Sequence, residues 1–356
     1  MTPLTQAYLD LVSGKRRGVR ATVMRAALGL GELPYAAAMA IRNAMYDRGW
    51  FHTSRAAVPV VSVGNLTTGG TGKTPCVEYL ARFYRERGLQ VAILSRGYGR
   101  DQGPNDEALV LEENLPDVPH LQGPDRVALA ATAVEELESE LLILDDGFQH
   151  RRLARDLDVV LIDATNPWGH GHLLPRGLMR EPKSSLKRAG AVLVSRCDQV
   201  LGDRLANLRR DISRYVKTDT PIVETEHQPN AWMREGDGQI ALDDLRGRPA
   251  LAFCGLGHPE AFRSTLAGLG IVPSDFRTFA DHHNYTRTDI DGLRNWADSL
   301  PADGVVLTTQ KDAVKIRLGD LAGRPLYALR IGLAPRPGQD VERLHEHLKN
   351  LNRRDR

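Results

Sequence analysis

The strongly apolar runs of the chain are short, rich in β-branched residues and regularly spaced. Val60-Val-Ser-Val63, Gln90-Val-Ala-Ile-Leu-Ser95, Glu140-Leu-Leu-Ile-Leu-Asp145, Leu157-Asp-Val-Val-Leu-Ile-Asp163 and Ala189-Gly-Ala-Val-Leu-Val-Ser195 each have strand length. Most are continuous rather than alternating, as a parallel strand covered on both faces requires. Between them the periodicity turns helical, over residues 77–86 and from the Gly123-Pro-Asp-Arg126 opening to Glu136. Strand, helix and strand in repetition predict right-handed parallel connections and a doubly wound α/β sheet. Further on, residues 218–226 are extended and residues 230–238 polar and glycine-bearing, a linker or hairpin. Strand patterns at 249–254, 276–279 and 304–309 and a helix at 259–269 then predict a second, smaller α/β domain.

The N-terminal pattern is of another kind. Lys15, Arg16, Arg17, Arg20 and Arg25 alternate with Val19, Val23, Met24, Ala27, Leu28 and Leu30, with hardly an acid nearby, which predicts a basic amphipathic helix. Pro34 then precedes a second helical run over residues 35–46, closed by Gly49-Trp50-Phe51. Two readings fit equally. The helices adsorb to an anionic membrane surface, where each basic side chain contributes about 1 kcal/mol, or they pack on the core and leave their arginines in water. The expected organisation is thus 1–55 helical, 56–222 core, 223–240 linker and 241–356 smaller domain.

Composition narrows this only a little. The 356 residues are 42% hydrophobic and 26% charged, an ordinary globular balance that excludes disordered and fibrous classes. A net charge of +2 gives no general argument for nucleic acid. Cys76, Cys197 and Cys254 are too widely spaced for a metal or disulfide pattern, which points to buried thiols in a reducing cytoplasm. No run has the length and apolarity of a membrane span, and no secretory signal is visible.

The chemistry starts where the first strand ends. Thr67-Thr68-Gly69-Gly70-Thr71-Gly72-Lys73-Thr74 departs from the full phosphate-loop pattern only in having Thr67 at the first glycine position. Its glycines let backbone N–H groups turn inward, Lys73 supplies a cation, Thr74 a hydroxyl for magnesium, and the following helix points its N-terminal dipole at the same anion. The next strand ends in Ser95-Arg96-Gly97-Tyr98-Gly99-Arg100, placing Arg96 and Arg100 at the same sheet edge, where ligands of open α/β sheets collect. Asp145 and Asp146 close an apolar strand as magnesium-binding acids do. Residues 166–182 are too polar for core and too long for a connector, and Arg180 and Glu181 are the chemically interesting residues there, whereas His170 and His172 fit solvent-facing positions. Ser195-Arg-Cys-Asp198 matches a guanine-reading motif only in its last residue, which argues against GTP.

Together, Asn65–Pro75, Ser95-Arg-Gly-Tyr-Gly99, Asp106-Glu107, Asp145-Asp-Gly-Phe-Gln-His-Arg-Arg-Leu-Ala-Arg-Asp156, Leu174-Pro-Arg-Gly177 with Arg180-Glu181, and Lys311-Asp-Ala-Val-Lys315 closely resemble the tetraacyldisaccharide 4'-kinase family over most of the chain. The resemblance implies a P-loop NTPase-like core and ATP-dependent phosphorylation of the 4'-hydroxyl of an acylated disaccharide 1-phosphate lipid. It further implies a peripheral enzyme at the cytoplasmic face of the inner membrane, with ATP and Mg2+ as cofactors and neither nucleic acid nor an obligate protein partner. By the same resemblance Lys73 is the β/γ-phosphate ligand, and Thr74, Asp145, Asp146 and Glu181 form the metal and γ-phosphate environment. Asp106 is the general base, supported by a histidine that His282 matches, with His283 adjacent. Arg96, Arg126 and Arg180 are expected near substrate or the transferred phosphate. A hinge in the linker would carry His282 to Asp106 on closure. Asn105, Gln310 and Arg100 depart from the family pattern without touching these side chains. The rival readings are a nucleotide switch or partitioning-type ATPase acting through a protein partner, and a scaffold with a degenerate loop that turns nothing over.

Overall fold

The computed structural model describes residues 3–97 and 106–353. Helices α1 (Pro3–Val12) and α2 (Val19–Asp47) lead into β1 (Val60–Asn65), α3 (Lys73–Arg85), β2 (Val91–Ser95), α4 (Asp106–Asn114), β3 (His120–Gln122), α5 (Arg126–Glu135), β4 (Leu141–Asp145), β5 (Leu157–Asp163), β6 (Ala191–Ser195) and α6 (Gly202–Ser213). The chain continues through β7 (Ile222–Arg234), β8 (Gly238–Ile240), β9 (Ala250–Cys254), α7 (Pro259–Gly268), β10 (Asp275–Thr278), α8 (Arg287–Ala297), β11 (Val305–Thr309), α9 (Gln310–Ile316), β12 (Asp320–Leu321), β13 (Arg324–Pro335) and α10 (Val341–Lys349). The described residues form two compact units. The larger comprises 3–97, 117–227 and 333–353; the smaller comprises 106–116 and 228–332.

In the larger unit the parallel strands lie in the order β7, β6, β5, β1, β4, β2, β3. The chain leaves β1 toward the β2 and β3 edge, returns at β4, and continues on the other side of β1 with β5. This reversal leaves the β1 end as the topological switch point. The predicted apolar runs are buried throughout β1, β2, β5 and β6. One sheet face packs Val160, Ile162, Val192 and Val194 against Leu205, Leu208 and Ile212 of α6. Farther along the same face, Val60, Ala92, Leu94, Leu142 and Leu144 pack against Ala130 and Ala133 of α5. Burial of this kind contributes about 1.5–3 kcal/mol per large aliphatic side chain. At Gly64 a Cβ would lie 2.5 Å from the Phe148 Cβ, so the close approach of the β4 exit to β1 requires glycine.

The smaller unit is a parallel sheet, β10, β9, β11, β13, between helices. Along β9 the side chains alternate: Ala250, Ala252 and Cys254 face the cluster of Phe262 and Leu266 on α7, and Leu251 and Phe253 face Leu293 and Trp296 on α8.

Three expectations differ from the observed chain. Residues 223–240 are largely strand rather than a linker: β7 turns back antiparallel into β8, which is the hairpin alternative for residues 230–238. Residues 333–353 belong with the larger unit, because α10 buries Leu344 and Leu348 and binds α3 through Tyr79 Oη to His345 Nε2 (2.7 Å) and Tyr84 Oη to the Leu348 carbonyl (3.1 Å). The helical break expected at Pro34 is absent: α2 runs on through it, since an interior proline removes only one backbone hydrogen bond. The three cysteines are free and buried, and burial pushes their thiols up.

Candidate active site

The phosphate loop is fixed at both ends and in its middle. Asn65 Nδ2 donates to Thr71 Oγ1 (3.0 Å), Ser195 Oγ donates to the Thr71 carbonyl (2.8 Å), and Arg196 Nη2 donates to the Gly70 carbonyl (2.7 Å) while pairing with Asp163. Arg196 was not singled out by the sequence; its place one residue past a strand end, like Arg96, was the available signal. Gly72 caps α3 at φ +89°, and a Cβ there would stand 2.4 Å from His227 Nε2, so both backbone and space demand glycine. Lys73 and Thr74 are the first residues of α3, with the Thr74 side chain buried toward the sheet edge.

Asp146 collects the cations. Its oxygens accept from Arg180 Nη1 at 3.0 and 2.8 Å, and Lys73 Nζ lies 3.5 Å away. Burial alone would raise this carboxyl, but Lys73 and then Arg180 hold it below the usual range. Asp146 keeps the left-handed φ of +50°, a backbone conformation that costs a non-glycine residue about 1 kcal/mol and clusters at functional sites. Asp145 ends β4 in register with Val63 of β1, the strand that feeds the loop.

Arg180 is aimed by backbone contacts. Thr68 N donates to the Leu178 carbonyl (2.8 Å) and Arg180 N to the Leu66 carbonyl (2.6 Å), lacing residues 178–180 along the phosphate loop. The N-terminal helices hold the same segment: Tyr8 Oη donates to the carbonyls of Pro175 and Gly177 (both 2.9 Å), and Tyr35 Oη to that of Arg180 (2.9 Å). Glu32 accepts from the Leu173 N–H (2.7 Å) and lies 3.0 Å from His172 Nδ1. His172 is therefore tied to a carboxylate, not simply solvent-facing.

Glu181, expected in the metal and γ-phosphate environment, is engaged by other side chains. It is fully buried, bound by Arg188 Nη2 at 3.1 and 3.0 Å and by Asn43 Nδ2 at 2.8 Å. Burial works to raise its carboxyl, and Arg188 with its hydrogen-bonding neighbours outweighs that, leaving it below the ordinary value. Its contribution to stability is thus present above the ordinary carboxylate pKa and lost as pH falls through the depressed one. Glu181→Gln is expected to destabilise the fold by about 3 kcal/mol, because it strands a buried guanidinium, while leaving magnesium affinity unchanged. Urea unfolding and magnesium titration of the same variant check both halves.

The remaining arginines are dispersed. Arg96 is exposed just beyond β2. Arg126 is the buried first residue of α5, whose N-cap Asp125 accepts from the N–H groups of Val127 and Ala128 (3.1 and 3.3 Å). Burial, and then the charges of Arg126, Arg152 and Arg155, push His150 down to about 4. Tyr98, Gly99, Arg100 and Asn105 lie outside the described residues.

In the smaller unit, Asp106 opens α4 and is buried, with its Oδ2 2.8 Å from His282 Nδ1. Both residues belong to one compact unit and already touch, so no hinge is needed to bring them together. The adjacent His283 goes to Asp289 instead (3.1 Å), which separates the two histidines. His282 holds φ +57°, a second strained residue at an expected catalytic position. Burial pushes Asp106 up, but the His282 bond, Lys311 and Lys315 hold it below the usual carboxylate range. The Asp106 bond raises His282 against the opposing effect of burial. The carboxylate half of the pair therefore persists until pH falls through the depressed Asp106 value, and the imidazolium half until pH rises through the raised His282 value. Gln310 bonds Asn114 Oδ1 (2.8 Å) and Glu113, so the amide found there ties α9 to α4 beside a second carboxylate.

A family model described as tetraacyldisaccharide-1-P 4'-kinase matches residues 24–350. The chain belongs to this family. It is 43% identical over 350 residues to the tetraacyldisaccharide 4'-kinase of Anaeromyxobacter dehalogenans (strain 2CP-C), covering 92% of this chain and 91% of the relative. The tetraacyldisaccharide 4'-kinase of Syntrophus aciditrophicus (strain SB) is 36% identical over 336 residues, with 87% and 89% covered. The solved LpxK structure of Aquifex aeolicus, an "apo" form in complex with ATP, superposes with a TM-score of 0.75 at 29% identity, covering 92% of this chain and 99% of that one. As a tetraacyldisaccharide 4'-kinase family member, the chain is an ATP-dependent phosphotransferase acting on the 4'-hydroxyl in lipid A biosynthesis, and its core is P-loop NTPase-like.

Proposed function

We propose that this tetraacyldisaccharide 4'-kinase transfers the γ-phosphoryl group of ATP by general-base catalysis. Asp106 accepts the proton of the sugar 4'-hydroxyl as its oxygen bonds to the γ-phosphorus of ATP and ADP departs. His282 orients the carboxylate. Lys73 and Arg180 neutralise charge on the phosphates, and Arg96 and Arg126 serve the substrate side. The observation that carries this reading is the buried Asp106 carboxylate held by His282 at 2.8 Å, an arrangement that a nucleotide switch does not need.

Magnesium fits the donors at the sheet edge. The Thr74 hydroxyl and Asp145 carboxylate are hard oxygens, and magnesium takes its remaining positions from phosphates and water rather than from an all-protein cage. Among the described residues no group of three or more acidic, histidine or cysteine side chains is placed to hold a metal ion. When bound there, the ion supplies charge neutralisation on the β- and γ-phosphates. Asp146 orders Lys73 and Arg180. The test is labelled phosphate transfer from ATP to acylated disaccharide 1-phosphate by the purified chain alone, with magnesium and with EDTA. Labelled lipid only with magnesium is expected; ATP hydrolysis with no labelled lipid would overturn the reading.

The setting we propose is peripheral, at the cytoplasmic face of the inner membrane, without an obligate protein partner. Over its 29 residues α2 buries only Ala21, and Val23, Leu30 and Ile41 are 62%, 72% and 61% exposed. With Leu33 they recur every three to four residues or a multiple, forming one apolar stripe beside the Arg16 to Arg25 cations. No helix among the described residues is long and apolar enough to cross a membrane. A stripe this exposed, next to cations, suits the interface of an anionic bilayer. The combined Val23→Ser, Leu30→Ser and Ile41→Ser variant is expected to lose at least about tenfold in partition to phosphatidylglycerol vesicles. Co-flotation equal to wild type would remove the membrane role of α2.

A further inference from the structure

The motif Lys311-Asp-Ala-Val-Lys315 has no part in the roles assigned above, yet it forms α9, which packs on the helix that Asp106 opens. Lys315 is buried, and its Nζ lies 3.8 Å from Asp106 Oδ2, the same oxygen that faces His282, and 3.8 Å from Asp312 Oδ1. That ammonium makes no hydrogen bond among the described residues. It stands between two carboxylates, 5.7 Å from the centre of the Tyr285 ring. Asp312 is immobilised in turn: Oδ2 accepts from the Gly255 N–H (3.0 Å) and Thr309 Oγ1 (2.6 Å), and Oδ1 from Tyr285 Oη (2.9 Å). Tyr285 follows His282 in the same loop. The contacts therefore close a ring, from Asp106 to His282, along the loop to Tyr285, through Asp312 to Lys315, and back to Asp106.

We propose that Lys315 is a positioning residue for phosphoryl transfer: a buried cation, seated by Asp312 and Tyr285, that holds the Asp106 carboxylate in place for its work as base. The inference rests on the reading of Asp106 as that base. A carboxylate buried without cations takes up a proton, and a protonated Asp106 cannot accept another from the sugar hydroxyl. His282 loses its charge as pH rises and its side chain is 59% exposed, and Lys311 is shared with Glu107 at 3.1 Å. Lys315, 8% exposed, is the least solvent-exposed of the three cations. The other acids around these cations are Glu107 on the helix of Asp106 and Asp281 in the histidine loop, both acting on Lys311, and Asp312 on α9, which meets Lys315.

The experiment is the pH profile of kcat/KM for the full chain with detergent-dispersed lipid substrate. In Lys315→Met the acidic limb is expected to move up by about one pH unit, with activity on the plateau largely kept, and Lys315→Arg is expected to restore the limb. Tyr285→Phe, which removes one hydroxyl and serves if the methionine variant does not fold, is expected to shift the limb in the same direction by a smaller amount. A folded Lys315→Met enzyme with the wild-type limb overturns the proposal, as does an unshifted Tyr285→Phe profile. Asp106→Asn, run in parallel, separates the two layers. If it abolishes activity while Lys315→Met leaves the limb in place, only the role of Lys315 falls; if it leaves activity intact, the base assignment falls with it.

Discussion

Lys73→Ala is expected to lower kcat/KM about 10³-fold, with the fold intact. The side chain begins α3, where the backbone N–H groups of the loop and the helix dipole already favour an anion, so part of the nucleotide affinity survives its loss. What disappears is a point charge on the transferring group, and removing one preorganised donor of that kind costs about 10² to 10³ in rate. A second effect adds to it. Lys73 and Arg180 share Asp146, at 3.5 and 2.8 Å, so without the lysine the carboxylate draws on Arg180 alone and holds it back from the phosphate. Lys73→Arg is not expected to rescue, because a planar fork does not replace a compact ammonium beneath a tight loop. Single-turnover transfer of labelled phosphate, with ATP binding measured separately, checks the claim. Equal rates for Lys73→Ala and wild type would deny the loop any catalytic part.

The core of the larger unit was legible because its signals are local. A β-branched run, a glycine-rich turn and a helix predict β1, the loop and α3 directly, and the acids after β4 fall in register beside them. The pairing of Asp106 with His282 was legible only through family resemblance, since the two are 176 positions apart and neither has a distinctive local pattern. What the pattern did not reveal is how segments distant in sequence are shared out. Asp106 folds with the smaller unit and α10 with the larger, choices made by burial of Leu344 and Leu348 and by the α4 contact with α9. Glu181 takes its expected metal role from the family resemblance, whereas its ion pair with Arg188, seven residues on, carries no motif and was not legible. The run of α2 through Pro34 was likewise hidden, because proline weakens a helix without always ending it.

Asp106→Asn is expected to reduce kcat by about 10³-fold while leaving ATP affinity near wild type. A sugar hydroxyl is a weak nucleophile, and a positioned base contributes about 10² to 10⁴ to its reaction. The amide keeps the shape of the carboxylate and still reaches His282, so a purely structural residue would tolerate the change. His282→Ala is expected to cost less, about tenfold, because the carboxylate remains but loses the bond that orients it. The two effects should not add: once the base is gone its orienting partner has nothing to orient, and the double variant should match Asp106→Asn. The pH dependence gives an independent check. Asp106 sits below the ordinary carboxylate range through His282, Lys311 and Lys315, so wild-type activity should fall only in acid, and in His282→Ala the fall should begin at higher pH. Additive losses in the double variant would show that the two side chains act separately. That result would leave their 2.8 Å contact a feature of the smaller unit's packing rather than of the reaction.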